Sequence, residues 1–297
     1  MTWSTRILDA EALRAWPLPD AGGGKDSRGR VVVVGGSRRT PGAVLLAAEA
    51  AVRAGAGKPQ VATVASVAVA ASVALPEALV TDLPETDDGE ISTSAAQQII
   101  SLASDCDALL FGPGLLSPEG ARELLEELAA ELNCPLVVDA LGMAYLTAHP
   151  DGLRHLSGSV VLTPNESELA ETLQRDEDDV RDHLADCCAE LADRSGATVV
   201  AGGEQTWVVS PGDDERWRYD GGVPGLGVAG SGDVKAGVVA GLLARGLPPH
   251  GAAAWGVLLH AGAGHSASQH LAPLGFLARE VLPWVPRVMN QLSESAE

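Results

Sequence analysis

Short runs of β-branched and other apolar residues alternate with helical segments along most of the chain, and this alternation constrains the fold more than any other feature. Strands are predicted at 31–34, 61–64, 108–111, 136–138, 160–162, 198–201 and 207–210, the last as part of a hairpin. Helices are predicted at 41–54, 118–132 and about 233–243. Such alternation is typical of parallel strands joined by crossover helices. We therefore predict an α/β fold with a mainly parallel central sheet, formed by residues 26–290 and preceded by an N-terminal extension, 1–25.

Composition supports a sheet that is buried on both faces. Hydrophobic residues make up 46% of the chain and aromatic residues only 3%, so the core must consist of Val, Leu and Ala. The apolar stretch 61–80 is broken by Ser66, Ser72, Pro76 and Glu77, and we interpret it as a strand followed by a packed helix or loop. A membrane span is not expected there.

The formal net charge of −20 argues against nucleic acid and anionic membranes as partners. A phosphate-binding pocket in such a chain must act locally, through backbone N–H groups and a few basic side chains. The four cysteines form no CxxC pair and the first residues do not resemble a signal peptide, so we expect a cytoplasmic protein.

Glycine, Asp or Asn follows four of the predicted strands directly. These positions are Gly35-Gly36-Ser37, Gly112-Pro113-Gly114, Asp139 and Asn165. The carboxyl ends of parallel strands form the binding edge of an open sheet. We therefore expect these residues to converge on one cleft.

Gly230-Ser231-Gly232-Asp233 opens an apolar helix and is the motif most closely tied to chemistry. A glycine turn before a helix N-terminus presents backbone N–H groups and a positive dipole end to an anion such as phosphate. Asp233 has two interpretations of equal weight: a helix cap, or a general base that takes a proton from an acceptor hydroxyl. A Walker loop is absent, and the GxGxxG spelling at 225–230 lacks the strand and acidic residue of a dinucleotide site.

Asn165-Glu166-Ser167-Glu168 also has two interpretations. Its carboxylates could hold Mg²⁺ through water, but a helix N-cap at Asn165 with acidic first-turn residues is the favoured alternative. His260 and His265 lack the spacing of a zinc site and are expected to be structural.

Several segments, taken in order, resemble the signatures of the ADP/ATP-dependent NAD(P)H-hydrate dehydratases, a family of the ribokinase-like superfamily. The matching segments are Gly36-Ser37, Pro41-Gly42-Ala43, the run from Ala50 to Lys58, Leu75-Pro76-Glu77-Ala78, Gly112-Pro113-Gly114-Leu115, Val138-Asp139-Ala140-Leu141 and Gly230-Ser231-Gly232-Asp233 followed by Ala236-Gly237. The last of these is similar to the family signature GTGD-x-L-x-G. The resemblance implies a ribokinase-like three-layer sandwich.

The resemblance also implies a reaction: dehydration of NAD(P)H hydrate to NAD(P)H, driven by ADP or ATP, with ADP expected as the donor. Asp233 would activate the hydroxyl of the hydrated ring, and the phosphorylated hydroxyl would then leave as phosphate. The implied nucleotide-binding residues are Gly230, Ser231, Gly232, Asn165 and Glu168, and Glu168 is the implied Mg²⁺ ligand. The implied substrate-binding residues are Gly36, Ala43, Gly114, Asp139 and Asp233.

Some positions depart from the family pattern and keep two alternatives open. Thr163-Pro164-Asn165-Glu166-Ser167-Glu168 stands where the family has TPHPGE, and is more similar to the NxxE motif of sugar and vitamin kinases. Ala201-Gly202-Gly203 lacks a lysine of the family, and Val223 and Val228 replace its Asn and Lys. A small-molecule kinase is therefore the first alternative, and a non-catalytic nucleotide sensor the second. As partners we expect the hydrate, ADP or ATP, further copies of this chain in a homo-oligomer, and a separate NAD(P)H-hydrate epimerase.

Overall fold

Ten strands form one sheet in the computed structural model, which describes residues 3–20 and 22–296. The strands are β1 (Ser4–Ile7), β2 (Arg30–Val34), β3 (Lys58–Val64), β4 (Leu79–Leu83), β5 (Ala108–Phe111), β6 (Leu136–Val138), β7 (Val160–Leu162), β8 (Thr198–Gly202), β9 (Thr206–Val209) and β10 (Glu215–Tyr219). Their order is β1-β10-β9-β8-β7-β6-β5-β2-β3-β4. All pairs from β8 to β4 are parallel, whereas β9 is antiparallel to β8 and β10. The predicted mainly parallel sheet and the hairpin at its end are confirmed.

Helices cover both faces of the sheet. They are α1 (Gly42–Arg53), α2 (Ala65–Ala74), α3 (Ala96–Ser104), α4 (Pro118–Ala129), α5 (Ala144–Ala148), α6 (Glu166–Leu173), α7 (Glu177–Asp182), α8 (Leu184–Ser195), α9 (Ser231–Ala244), α10 (Pro249–His270), α11 (Ala278–Val281) and α12 (Val285–Ala296). None of the helices in the described ranges is both long and apolar enough to cross a membrane. The three layers agree with the predicted sandwich.

The alternating side chains of β2 show why the sheet needs helices on both faces. Val31 and Val33 belong to the core beneath α1, α9 and α10, whereas Val32 and Val34 belong to the core beneath α3, α4 and α8. Successive side chains of a strand point to opposite faces, so an unbroken valine run requires helices on both sides.

Helix α9 is buried on nearly all sides and is held directly against α1. A Cβ at Gly237 would lie 2.2 Å from the carbonyl oxygen of Ala47, and one at Gly241 would lie 2.4 Å from that of Ala51. The two glycines therefore allow backbone-to-backbone contact that any larger residue would prevent. This contact fixes the position of the α9 N-terminus, which carries Asp233.

The N-terminal segment adds an edge strand to the sheet and packs against α10. β1 pairs in parallel with β10, and Leu8 and Leu13 are buried in the α10 side of the core. The indole N–H of Trp255 donates to the carbonyl of Trp16 at 2.7 Å. The acidic run 174–186 is mostly exposed and comprises the short α7 and the start of α8, with His183 between them.

Candidate active site

The four strands with polar or glycine ends are neighbours in the sheet, in the order β7-β6-β5-β2. Because these strands are parallel, Ser37, Gly114, Asp139 and Asn165 all lie along one edge. The N-terminus of α9 reaches the same edge, since the pKa of Asp233 is influenced by the charge of Asp139. The predicted convergence of these segments is therefore what the topology produces.

Helix α9 begins in a turn with special geometry. Gly230 is its N-cap residue with φ of +90°, and a Cβ there would lie 2.6 Å from Cδ1 of Leu46. Only glycine adopts this left-handed conformation without strain. Within the described chain, the backbone N–H groups of Gly232 and Asp233 meet no acceptor, while that of Ser231 donates to the carbonyl of Val228 at 3.1 Å. Two amides at a positive helix end are thus available to an anion.

Asp233 does not cap this helix. Its side chain forms no capping hydrogen bond and has no hydrogen-bond partner among the residues described. Burial raises its pKa to about 7, and the charges of Asp139 and Glu168 contribute to the shift. A half-buried carboxylate with a pKa near neutrality and no structural partner suits a general base better than a cap.

A cavity of about 570 Å³ lies between this turn, the ends of β7 to β10, and α10. Of the predicted nucleotide-binding residues, Asn165, Ser231 and Gly232 line it, whereas Gly230 and Glu168 are not among its lining residues. Its wall is largely apolar and is completed by the loop between β10 and α9, including Val223, Pro224 and Leu226. A mainly apolar cavity with a few convergent polar groups is typical of a small-molecule site.

Three carboxylates and one ammonium group influence one another at this edge. Burial raises the pKa of Glu168 to about 7, against the lowering effect of the Asn165 N–H. Burial also raises the pKa of Asp139, whose Oδ1 accepts a 2.7 Å hydrogen bond from the Thr163 hydroxyl. Burial lowers the pKa of Lys235, and the nearby charges of Asp139 and Glu168 act in the opposite direction.

Of the predicted substrate-binding residues, Gly36, Ala43 and Gly114 form a second group. A Cβ at Gly114 would lie 2.9 Å from Cβ of Ala43 and 3.2 Å from Cα of Gly36, so these three residues meet. Thr40 joins them, because its hydroxyl donates to the Gly114 carbonyl at 2.6 Å. None of the three lines the 570 Å³ cavity, and Ala43 belongs to α1. The glycines with φ of +73° allow the two loops to pack closely, and this packing accounts for them without any ligand.

Asn165 and Glu168 form the capping box that was the favoured interpretation of their motif. The Glu168 N–H donates to Asn165 Oδ1 at 2.9 Å, and the Asn165 N–H donates to Glu168 Oε2 at 3.0 Å. No group of three metal-ligating side chains occurs in the described part of the chain. A Mg²⁺ ion bound mainly by phosphates and water needs only one or two carboxylates, so Glu168 retains the chemistry for that role.

Sequence reasoning missed two residues of this site, Lys235 and His260. Both line the cavity, and Nε2 of His260 lies 3.0 Å from the Ser231 hydroxyl. His260 was expected to be structural, and nothing in the local pattern of α10 predicts its contact with α9. Lys235 could have been noticed, because it stands at the leucine position of the GTGD-x-L-x-G signature.

The sequence of this chain is similar to those of several known proteins. The sequence profile of the NAD(P)H-hydrate dehydratase family matches residues 31–287. The ADP-dependent (S)-NAD(P)H-hydrate dehydratase of Xanthomonas campestris is 43% identical over 97% of this chain and 97% of its own length. A bifunctional NAD(P)H-hydrate repair enzyme of Moorella thermoacetica is 33% identical, and the match covers 99% of this chain but 56% of that protein.

Solved structures show the same architecture. A ribokinase-like superfamily protein of Enterococcus faecalis superposes with a TM-score of 0.80 at 23% identity, over 97% of this chain and 96% of that one. The ADP/ATP-dependent NAD(P)H-hydrate dehydratase of Bacillus subtilis, co-crystallised with ATP and Mg²⁺, gives 0.76 at 25% identity, over 96% and 98%. The ribokinase-like fold is confirmed by these structures. Together with the profile match and the Xanthomonas relative, they show that this chain belongs to the NAD(P)H-hydrate dehydratase family.

Proposed function

We propose that this chain converts NAD(P)H hydrate to NAD(P)H at the expense of ADP or ATP, with Asp233 as the general base. The observation that carries the proposal is the position of Asp233. It is a half-buried carboxylate with a pKa near 7, beside two free helix N-terminal amides and next to a cavity of about 570 Å³. The name of the Xanthomonas relative supports ADP as the phosphoryl donor.

In the proposed reaction, Asp233 accepts the proton of the hydroxyl group on the hydrated nicotinamide ring. The hydroxyl oxygen attacks the terminal phosphorus of the nucleotide, the bond to the bridging oxygen breaks, and AMP leaves when ADP is the donor. The ring carbon–oxygen bond then breaks, inorganic phosphate departs, and the neighbouring ring carbon loses a proton to restore the double bond. Phosphate is a far better leaving group than hydroxide, which is why a nucleotide is consumed.

The turn before α9 would stabilise the phosphoryl group during transfer. The amides of Gly232 and Asp233 have no acceptor in the described chain, and Gly230 allows the chain to turn there without a side chain in the way. Preorganised N–H donors of this kind stabilise developing negative charge without reorganisation. The Ser231 hydroxyl, held by His260, would add a further polar contact at the cavity wall.

The nucleotide would enter with Mg²⁺, which supplies charge neutralisation on the phosphates when bound. We propose that Glu168 holds this ion through water. Its Oε2 accepts the Asn165 N–H, while Oε1 has no donor among the described residues. The carboxylate can therefore keep its capping role and offer a second oxygen.

The hydrated nicotinamide would bind on the α1 side of Asp233, near Gly36, Ala43, Gly114 and Asp139. We propose that the nucleotide occupies the cavity lined by Ser231 and Gly232, so that Asp233, the next residue of the chain, would lie where the two ligands meet. An in-line transfer requires the acceptor oxygen to face the terminal phosphorus opposite the leaving oxygen, with Asp233 beside the acceptor hydroxyl.

A small-molecule kinase is the second candidate, and it rests on Asn165-Glu166-Ser167-Glu168. The two activities differ in product. A kinase leaves a stable phosphorylated alcohol, whereas the dehydratase releases inorganic phosphate and restores the reduced nicotinamide. The names of the relatives favour the dehydratase.

The test is the recovery of reduced-nicotinamide absorbance from enzymatically prepared NADPH hydrate, with Mg²⁺ and either ADP or ATP. We expect recovery with wild type, no detectable recovery with Asp233→Asn, and normal recovery with Asp182→Asn, an exposed control on α7. Undiminished turnover by a folded Asp233→Asn protein would refute the role of the base. Phosphorylation of a sugar or vitamin alcohol without recovery of the band would favour the kinase.

The remaining expectations concern the oligomeric state, the cellular compartment and a partner enzyme. We propose a homo-oligomer that acts in the cytoplasm alongside a separate epimerase for the other hydrate epimer. The free state of Cys106, Cys134, Cys187 and Cys188 is compatible with a reducing compartment. Light scattering of the purified protein would give the number of subunits.

A further inference from the structure

Lys235 is the only lysine or arginine that lines the 570 Å³ cavity within the described chain. It is the fifth residue of α9, two positions after Asp233 and next to the turn with the free amides of Gly232 and Asp233. The whole sequence contains only two other lysines, Lys25 and Lys58. The cavity of a chain with net charge −20 thus has a single lysine or arginine side chain among its described lining residues, at the end where phosphate is expected.

The Lys235 ammonium is unpaired in the part of the chain that the structure describes. Among the described residues, no acceptor forms a hydrogen bond with Nζ and no carboxylate comes within ion-pair distance. Asp139 and Glu168 act on it only at longer range, as their effect on its pKa shows. The other groups that influence it or are influenced by it are the Cys188 thiol and the His260 ring.

This placement is unfavourable for the empty protein in two ways. A half-buried ammonium loses hydration that no internal partner replaces. A cation close to a helix N-terminus is also repelled by the positive end of the helix dipole. Folding alone would favour an apolar side chain at this position, and the family signature has leucine there. An anion bound in the cavity would offset both costs.

We infer that Lys235 is a phosphate-binding residue of this enzyme, which donates from Nζ to the phosphate chain of the nucleotide in the 570 Å³ cavity. The inference rests on the proposed function, since it takes the ligand to be ADP or ATP. Val228 stands where the family has a loop lysine. Lys235 would supply the missing positive charge from helix α9 instead. The amides of Gly232 and Asp233 and the Lys235 ammonium would then bind the same phosphates from adjacent turns of one helix.

Two other roles for Lys235 predict different behaviour. If it served only as an internal counter-charge for Asp139 and Glu168, its removal would alter stability but leave nucleotide affinity unchanged. If it only shaped the cavity wall, its removal would weaken all ligands of the cavity equally. A phosphate contact weakens only the ligands that carry phosphate.

The test is calorimetric titration of Lys235→Met and wild type with ADP and with adenosine, at fixed Mg²⁺ and without hydrate, so that no turnover occurs. Loss of a charge-assisted contact should weaken ADP binding at least about tenfold and adenosine binding less than about twofold. Lys235→Arg should recover part of the ADP affinity, and the exposed Lys25→Met control should bind ADP like wild type. Unchanged ADP affinity in Lys235→Met, or equal losses for ADP and adenosine, would overturn the inference.

Proton uptake gives an independent readout. Burial lowers the pKa of Lys235 in the empty protein, and a bound phosphate would raise it. Titrations over a range of pH, in buffers of different ionisation enthalpy, should therefore show proton uptake on ADP binding by wild type that Lys235→Met lacks. Equal uptake by both proteins would contradict the contact.

The outcome for Lys235 can be separated from that for the proposed function. Selective loss of ADP affinity in Lys235→Met, together with a wild type that never restores NADPH, would keep the inference and refute the dehydratase. Recovery of NADPH by wild type, with ADP affinity unchanged in Lys235→Met, would support the dehydratase and refute the inference about Lys235.

Discussion

The hydroxyl of Ser231 and Nε2 of His260 lie 3.0 Å apart, and their hydrogen bond joins the first turn of α9 to α10. Burial lowers the pKa of His260 to about 3, and the nearby Lys235 charge adds to this effect. The ring is therefore neutral at physiological pH. A neutral imidazole can fix the orientation of the Ser231 hydroxyl without adding another charge to the site's ionisable groups.

The first prediction concerns this histidine and stability. Below about pH 6.5 the unfolded chain protonates His260 while the folded chain does not, so the contribution of His260 to stability falls as the pH is lowered toward 3. The difference in free energy of unfolding between wild type and His260→Gln should thus shift in favour of the variant between pH 7.5 and pH 5. Urea denaturation across this range measures it. His265→Gln, at an exposed position of the same helix, is the control, and a pH-independent difference for His260→Gln would contradict the buried neutral ring.

The second prediction is a pH profile for Asp233. The base must be ionised, and its pKa of about 7 lies well above the ordinary value of 3.8. The kcat/KM for hydrate dehydration should therefore rise with pH and level off above about 7. Glu168→Gln removes a neighbouring negative charge, so the pKa of Asp233 should fall and the rising limb should move to lower pH. Glu171→Gln, at an exposed position of the same helix, should leave the limb in place, and an unmoved limb in Glu168→Gln would show that the carboxylates are not coupled.

The third prediction separates two glycines of one motif. Gly230→Ala puts a Cβ on a residue with φ of +90° and 2.6 Å from Leu46, so the free energy of unfolding should fall by about 1–3 kcal/mol. Gly232→Ala meets no heavy atom within 4 Å and lies inside a helix, so stability should be unchanged or rise by up to about 1 kcal/mol.

For nucleotide binding we expect the opposite order, with Gly232→Ala reducing ADP affinity more than Gly230→Ala does. The methyl group of Gly232→Ala would project into open space at the cavity wall, so ADP affinity should fall although the fold is intact. Denaturation and ADP titration of both variants provide the measurement. A stable Gly230→Ala protein, or full ADP affinity in Gly232→Ala, would disagree with the geometry of the turn.

The fourth prediction concerns the capping box. Asn165→Ala removes the acceptor of the Glu168 N–H and should cost about 1 kcal/mol of folding free energy. Asn165→Asp keeps a side-chain acceptor at the helix N-terminus and should remain close to wild type. Thermal or urea denaturation of the pair tests this, and equal losses in both variants would show that the cap contributes little.

Much of the architecture could be predicted from local pattern. The valine run of β2 and the short runs of β5, β6 and β7 were located to within a residue, because β-branched residues between turn signals have few other stable conformations. The start of α9 was predicted two residues late, since Gly230 in a left-handed conformation lets the helix begin at Ser231. The strands β1, β4 and β10 were missed, because as partly exposed outer strands they lack a long apolar run.

The sequence alone determined the parallel sheet, the glycine turn and the position of Asp233 at a helix start, because periodicity and turn chemistry are properties of neighbouring residues. Only the tertiary structure decided which distant side chains meet there. Contact between α9 and α10 brought His260 to Ser231, and the sheet edge brought Asp139 and Glu168 near Lys235. The same packing left Asp233 without a capping role and Lys235 without a partner among the described residues, because burial and pairing depend on the groups that surround a side chain in space.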